Sequence, residues 1–266
     1  MIDFDKLFTE YMHEWMENNS DLTADEMEER AATMFEDWQN VVYEELGGIS
    51  PKQYFEKITD KNALIKMLVD ASKNGVSPSV LLLDRIVDAG CEEELVSIIK
   101  GEYDAEVKIE AINLLFETGA DHPVDEYVSI IADKNSDEGL RELCVEVLAT
   151  EPDAVSAKLF DLIPSADYEL KGLIAEILVG AKQDERTYAL LEDLFKNGNN
   201  VPLYAGFIGK YGDERAMTYL YKALDDCNYV DFTEIRNAIE QLGGTVDDEY
   251  RDFSSDPYYK ALKNLK

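Results

Sequence analysis

The hydrophobic residues of the chain recur three and four positions apart, a spacing that places side chains on one face of an α-helix. Segments with this pattern end at six anchor positions, spaced 29, 32, 30, 31 and 31 residues apart: Gly90, Gly119, Glu151, Ala181, Gly212 and Gly243. Apolar or aromatic residues stand eight and four positions before every anchor, at Leu82 and Ile86, Ala111 and Leu115, Leu143 and Val147, Leu173 and Ile177, Tyr204 and Ile208, and Ile235 and Ile239. Because no segment alternates with period two, the pattern predicts helices and no strand.

Each anchor except the last is followed by a short polar turn and a second apolar segment with helical spacing. The first of these segments contains Leu95, Ile98 and Ile99. Residues typical of helix starts occur in three of the turns, namely Asp153, Asp184 and Asp213, and glycines suited to a left-handed helix end occur at Gly119, Gly212 and Gly243. Every repeat is therefore predicted to be a helical hairpin.

One turn carries a recognisable motif. The segment from Ile208 to Ala216 reads Ile-Gly-Lys-Tyr-Gly-Asp-Glu-Arg-Ala, and Leu220 and Leu224 follow it. This resembles the short HEAT-like repeat of about 30 residues first described in phycobilisome lyases, with its Gly-Asp-x-Arg-Ala turn and spaced leucine pair. The resemblance extends over roughly residues 76 to 245. It implies an all-α fold, a right-handed α-α superhelix (HEAT-like solenoid) with helical N- and C-terminal caps.

Both ends of the chain depart from the repeat. Residues 1–48 carry 14 acidic and 2 basic side chains together with both tryptophans, and Thr23 and Glu26 have the spacing of a capping box. We interpret residues 1–48 as an N-terminal helical cap and residues 49–245 as the repeat array, which opens with Ser50 and Pro51 as a helix start. Residues 246–266 are predicted to form a C-terminal capping helix that begins at Pro257.

The charge of the chain narrows the range of partners. It has 57 acidic and 25 basic residues, a net charge of −32, which disfavours binding to a nucleic-acid backbone. No apolar run reaches the roughly 18 residues of a membrane span, and Met1–Asp5 lacks the basic and then apolar pattern of a signal peptide. Three widely separated cysteines, Cys91, Cys144 and Cys227, are expected to be reduced thiols. These features predict a cytoplasmic protein.

Sequence motifs for chemistry are sparse. The two histidines, His13 and His122, are more than a hundred residues apart, and no nucleophile motif or phosphate-binding glycine loop is present. Acidic runs occupy residues 25–29, 92–94 and 247–249, but none has the ligand spacing of a calcium-binding loop, and solvated helix starts explain them. We therefore predict no catalytic residue, no metal site and no cofactor.

A candidate binding surface follows from the resemblance, because the second helix of each hairpin lines the concave side of HEAT-type stacks. The positions six and two residues before the anchors are Asp84 and Asp88, Asn113 and Glu117, Val145 and Ala149, Ala175 and Val179, Gly206 and Lys210, and Asn237 and Gln241. The middle of this row is small and apolar, whereas its ends are polar. Something is expected to cover the apolar part.

Three coverings are consistent with this row. Superhelical curvature or the N-terminal helices bury it, or a second copy covers it, or it binds a partner in a groove. In the third case the floor consists of Val145, Ala149, Gly172, Ala175, Val179, Leu203 and Gly206, with Arg141, Lys171 and Lys210 at the edges pairing with acidic groups. The expected function is a non-enzymatic scaffold for a protein or peptide, and the charge favours a basic one. The alternative is an accessory subunit or lyase-like enzyme that holds a small molecule or chromophore.

Overall fold

The computed structural model describes residues 2–19, 23–247 and 250–264, and these residues form an all-α protein. Helices make up 72% of it, and the described part contains no strand. The helices are α1 (Phe4–Asn18), α2 (Ala24–Trp38), α3 (Pro51–Glu56), α4 (Lys61–Lys73), α5 (Val80–Asp88), α6 (Glu92–Lys100), α7 (Ala105–Thr118), α8 (Val124–Ala132), α9 (Glu138–Leu148), α10 (Pro152–Leu162), α11 (Tyr168–Leu178), α12 (Glu185–Asn197), α13 (Val201–Tyr211), α14 (Met217–Ala223), α15 (Tyr229–Gln241) and α16 (Pro257–Asn264). The prediction of an all-α fold is confirmed.

The chain divides into two compact units, Met1–Pro123 and Val124–Lys266. The first unit contains α1 to α7, and the second contains α8 to α16. Within each unit, helices pack mainly against their neighbours in the chain, which is the packing of an α-solenoid. The boundary falls inside the stretch 49–245 that the sequence marks as one repeat array.

The predicted hairpins form as helix pairs in direct contact. The pairs α4–α5 and α6–α7 lie in the first unit, and α8–α9, α10–α11, α12–α13 and α14–α15 lie in the second. All six anchors lie within three residues after the end of the second helix of a pair. Of the twelve predicted stripe residues, ten are buried, whereas Leu143 and Leu173 are partly exposed. The 31-residue period therefore locates the core-facing side of each second helix.

The helix ends follow the predicted capping chemistry in most places. Gly119 and Gly212 end α7 and α13 with φ of 66° and 79°, a left-handed conformation that glycine adopts without strain. The carboxylate of Asp184 accepts the backbone N–H of Arg186, and that of Asp213 accepts the N–H of Arg215. The capping box of Thr23 and the Ser50 cap are present as well.

The prediction that Asp153 is an N-cap is wrong. Pro152 occupies the first turn of α10, so the capping position falls to Glu151, and Asp153 lies inside the helix. Its carboxylate instead accepts the backbone N–H of Lys182, 2.8 Å away in the turn that follows α11. Asp153 therefore links the start of α10 to the turn that leads into the next hairpin.

The Asp-x-Arg part of the turn motif also connects hairpins. Arg186 forms a two-pronged ion pair with Asp184 and lies 3.7 Å from the ring centre of Phe160, which belongs to the preceding hairpin. Arg215 repeats the arrangement with Asp213 and lies 4.2 Å from the ring of Tyr188. A guanidinium over an aromatic face is attracted by the ring quadrupole, so the motif has a structural role in joining consecutive first helices.

The two ends of the chain carry aromatic clusters. In the N-terminal segment the buried Trp38 contacts Phe8 and Phe35, with ring centres 5.1 and 5.3 Å apart. At the other end, the Asp256 carboxylate accepts the N–H groups of Tyr258 and Tyr259, and α16 packs against α15. Both ends thus differ from the hairpins, as expected of solenoid termini.

Candidate partner-binding surfaces

The apolar floor predicted on α9 and α11 is not open to a partner. Val145, Ala175 and Val179 are only 3%, 0% and 5% exposed. The physical reason is the position of α11, which contacts α8, α9, α10, α12 and α13 and is therefore covered on most sides by its own unit. Of the three coverings considered, burial by the chain itself applies to these three residues, so the prediction that they line an open groove is wrong.

The rest of the predicted row is accessible but not continuous. Leu203 is 43% exposed, and a side chain added at Gly206 would meet nothing within 4 Å. Ala149 and Lys210 are also exposed, whereas Gly172 faces the hydroxyl of Tyr204. What remains is a short accessible stretch of α13 rather than a groove along several helices.

The cations predicted at the edges of the groove are largely engaged within the chain. Arg141 pairs with Glu169 and donates to the carbonyl of Ile131 at 3.2 Å. Lys171 pairs with Asp193 at 2.8 Å. Both cationic side chains are largely buried, so they hold α9, α11 and α12 together. The expectation that they pair with acidic groups of a partner is wrong for Arg141 and Lys171.

The second helices are also distinguished by the pKa values of their carboxyl groups. Among the described carboxyl groups, those with a raised pKa are Asp84, Glu110, Glu176 and Asp231, on α5, α7, α11 and α15 respectively. Burial is the main cause of each raised pKa, because a low-dielectric surrounding disfavours the charged form. In the turns between hairpins the opposite holds, and hydrogen bonds from Arg186 lower the pKa of Asp184 to about 2.

The first unit presents a group of carboxylates on two adjacent second helices. Asp84 and Asp88 lie on α5, and Glu106, Glu110 and Glu117 lie on one side of α7, because these positions are four and seven residues apart. We call these five residues the acidic face. All are exposed except Glu110, which is half-buried, and α5 contacts α7 directly.

The carboxylates of the acidic face take part in none of the ion pairs that the structure describes. No ion pair joins any of its five carboxylates to a lysine or arginine in the part of the chain that the structure describes. After burial, repulsion by Asp88 further raises the pKa of Asp84, and repulsion by Glu117 further raises the pKa of Glu110. The face therefore carries like charges that no described ion pair neutralises.

Two cavities border this face. One, of about 350 Å³, lies between the C-terminal end of α4, the loop at residues 75–78 and the start of α7, where Glu106 and Glu110 line it. The other, of about 210 Å³, is lined by Asp84 and Asp88 together with Lys52 and Arg85. The guanidinium of Arg85 donates to the carbonyl of Ile58 at 3.1 Å, so its charge is directed toward the backbone.

The positions six and two residues before the anchors, chosen from the sequence, include part of the acidic face. They comprise Asp84, Asp88 and Glu117 as polar positions at one end of the row, but they miss Glu106 and Glu110. The signal that could have found them is the spacing of acids along α7, which places Glu106, Glu110 and Glu117 at helical intervals.

The raised and lowered carboxyl pKa values predict an optimum of stability at acidic pH. At groups with a raised pKa, such as Glu110 and Glu176, the native state binds protons more readily than the unfolded chain, so stability increases as pH falls from 7 toward about 5. At Asp184 and Asp213 the unfolded chain binds protons more readily, so their contribution is lost below about pH 4. We expect the melting temperature to be highest near pH 5.

Thermal melts followed by circular dichroism at constant ionic strength, between about pH 3 and 8, test this expectation. The melting temperature should exceed its value at neutral pH by a few degrees at the optimum and then fall steeply in acid. A melting temperature that rises continuously from about pH 5 to pH 8 would show that the lowered carboxyl pKa values dominate instead.

The described parts of the chain contain neither a metal-binding cluster nor a membrane-spanning helix. Among those residues, no group of three or more histidine, cysteine, aspartate or glutamate side chains is arranged to hold a metal ion. No described helix combines the length and apolar character required to cross a bilayer. Residues 248 and 249, which belong to the last acidic run, lie outside the described residues.

The chain matches no protein-family model, and no curated protein is significantly similar to it. The resemblance to short HEAT-like repeats therefore stays a prediction that depends on the turn motif and the period.

Proposed function

We propose that this protein is a non-enzymatic interaction module that binds a basic segment of another protein on the acidic face of its first unit. The observation that carries the proposal is that no described ion pair involves the carboxylates of that face, where Glu110 is half-buried and repelled by Glu117. Charges of one sign held together in a partly desolvated setting are stabilised by a partner of opposite sign.

The chemistry of the face favours a polypeptide that carries lysine or arginine. Carboxylates repel the phosphates of nucleic acid and of anionic lipid, and the net charge of −32 strengthens this repulsion. The same charge speeds the encounter with a basic partner. The proposal includes the cytoplasmic location expected from the sequence, in which the three free thiols would stay reduced.

This proposal moves the expected binding surface from the second unit to the first, but it keeps the same helix of the hairpin. Asp84 and Asp88 occupy the positions six and two residues before Gly90, and Glu117 stands two residues before Gly119. In the second unit three of the equivalent positions, Val145, Ala175 and Val179, are buried. The alternative function, holding a small molecule or chromophore, stays a prediction.

Fluorescence anisotropy with a labelled basic peptide tests the proposal. The probe is a short peptide with lysine, arginine and leucine at helical spacing, and its counterpart has glutamate in place of every basic residue. The test variant combines Asp84→Asn, Asp88→Asn, Glu110→Gln and Glu117→Gln. We expect it to bind the basic probe about 10-fold more weakly than the wild type, since exposed ion pairs contribute roughly 0.2–1 kcal/mol each.

A matched control separates the face from the overall charge. It combines Glu44→Gln, Glu45→Gln, Glu93→Gln and Glu102→Gln, four exposed glutamates of the first unit that are not on second helices. Both variants remove four negative charges from a net charge of −32. The control should bind the basic probe within about twofold of the wild type. Equal weakening in both variants would refute the assignment of the face, and equal binding of the acidic probe would refute charge recognition altogether.

A further inference from the structure

The larger cavity beside the acidic face combines an apolar floor with an acidic rim. Its floor is formed by Leu68 from α4, Val76 and Pro78 from the following loop, and Val107 from α7. Glu106 and Glu110, one helical turn apart on α7, line the same space. Leu68 and Val107 are buried, whereas Glu110 is half-buried, so the acidic group lies at the edge of an apolar surface.

We propose that this cavity receives one arginine side chain of the basic segment, with the aliphatic stem on the apolar floor and the guanidinium at Glu110 and Glu106. The inference rests on the proposed function and names the residue type that the partner places at this point. It concerns a pocket formed by α4, the loop at residues 75–78 and α7, not the acidic face as a whole.

The size of the cavity suits a single side chain. At about 350 Å³ it lies at the lower end of the range for small-ligand pockets, roughly 300–1,000 Å³. A helix or an extended backbone does not fit within such a volume, so a segment bound on the face contributes one long side chain to it. Long basic side chains bury their methylene stems along apolar surface while their charged ends stay at the edge.

The arrangement of charge favours arginine over lysine. The guanidinium is planar, is more weakly hydrated than an ammonium group and donates several hydrogen bonds in a fixed fork, so it loses less on entering a partly desolvated site. Two carboxylates one turn apart provide several acceptors for that fork. The start of α7 carries a partial positive charge of roughly half a unit charge, which opposes a bound cation. This partial charge is smaller than the two negative charges of Glu106 and Glu110, so the net attraction for a guanidinium remains.

The test uses N-acetyl-arginine methylamide as the probe, titrated into the full-length ¹⁵N-labelled protein and followed by nuclear magnetic resonance. We expect saturable shifts of the backbone amides of Gly75, Val76 and Val107, with a dissociation constant on the order of millimolar. The citrulline analogue, which keeps the shape but lacks the charge, should cause no saturable shift there. The lysine analogue should bind several-fold more weakly than arginine.

Two variants complete the test. Glu110→Gln should weaken arginine binding by about 10-fold, whereas Glu117→Gln, on the same face but outside the cavity, should change it by less than about twofold. Equal binding of arginine and citrulline, shifts located elsewhere, or equal effects of the two variants would each overturn the inference. Because the citrulline comparison uses the wild-type protein, a folding defect in a variant cannot decide the result.

These outcomes are distinguishable from failure of the proposed function. If the basic peptide binds the acidic face but the arginine probe does not shift the amides around the cavity, the inference is wrong and the proposed function stands. If the peptide does not bind the acidic face, the proposed function is wrong, and the inference, which depends on it, is wrong as well.

Discussion

Replacing Trp38 with alanine is expected to destabilise the first unit by about 4 kcal/mol, the largest effect of any single change considered. The side chain is 1% exposed and packs against the rings of Phe8 and Phe35. Removing a buried indole forfeits its transfer free energy and leaves a cavity, and such changes typically cost roughly 3–5 kcal/mol. Chemical denaturation followed by circular dichroism measures the loss.

Trp15 provides the matched control within the same N-terminal segment. It is only partly buried, so Trp15→Ala should cost about 1 kcal/mol, near the centre of the distribution for single substitutions. The comparison also tests whether α1 and α2 are integral to the first unit, because loss of an independent cap would leave the remaining hairpins unaffected. Similar losses from the two tryptophan substitutions would contradict the deeper burial of Trp38.

Replacing Gly209 with valine is expected to destabilise the second unit by about 3 kcal/mol. A Cβ at this position would lie 2.3 Å from Oε1 of Gln241 and 3.1 Å from Cα of Ala238. The glutamine side chain can swing away, but the backbone at Ala238 can yield only if α15 separates from α13. The two further methyl groups of valine worsen this overlap, and overpacking of this kind costs roughly 1–3 kcal/mol or more.

The control for this prediction lies one helical turn away. Gly206 is on the same helix, and a side chain placed there meets nothing within 4 Å. Gly206→Val should therefore leave stability unchanged or raise it by a few tenths of a kcal/mol, because valine favours the helix more than glycine does. Chemical denaturation of both variants provides the comparison, and a larger loss at Gly206 than at Gly209 would be inconsistent with close packing of α13 on α15.

The period of the apolar pattern predicted the hairpins well because the buried residues of each hairpin contact mainly neighbouring helices in the chain. Each second helix places residues such as Ile86 and Ile208 against its own partner helix and the adjacent hairpins, so a helical spacing of apolar residues is sufficient to identify the core side. The glycine ends were equally predictable, since Gly119 and Gly212 adopt positive φ values that other residues rarely adopt.

The surface was harder to predict than the core. The apolar positions Ala175 and Val179 suggested an open groove, but α11 is surrounded by five helices, and a one-dimensional pattern cannot distinguish a face covered by other hairpins from one left open. The prediction of Asp153 as an N-cap failed for a local reason, because the proline one position earlier begins the helix. Neither the division at Pro123 nor the cavity beside α7 has a sequence signature, because both depend on contacts between several helices.

The Asp-x-Arg turn is the basis of the family resemblance in the sequence, and the structure gives it a packing role. The guanidinium groups of Arg186 and Arg215 lie over the rings of Phe160 and Tyr188 in the preceding hairpins. This packing role does not require a ligand. The motif therefore supports the architecture of the second unit and provides no evidence for a binding function there.

The most direct test of the central proposal, a basic segment bound on the acidic face, is to locate the bound peptide. The basic probe, carrying a photo-reactive benzoylphenylalanine at its centre, is irradiated with the full-length protein, and the cross-linked residues are identified by mass spectrometry. The proposal predicts cross-links within α5, α7 and the loop at residues 75–78, all lost in the variant that neutralises Asp84, Asp88, Glu110 and Glu117. Cross-links concentrated on α6 or in the second unit, or unchanged in that variant, would contradict it.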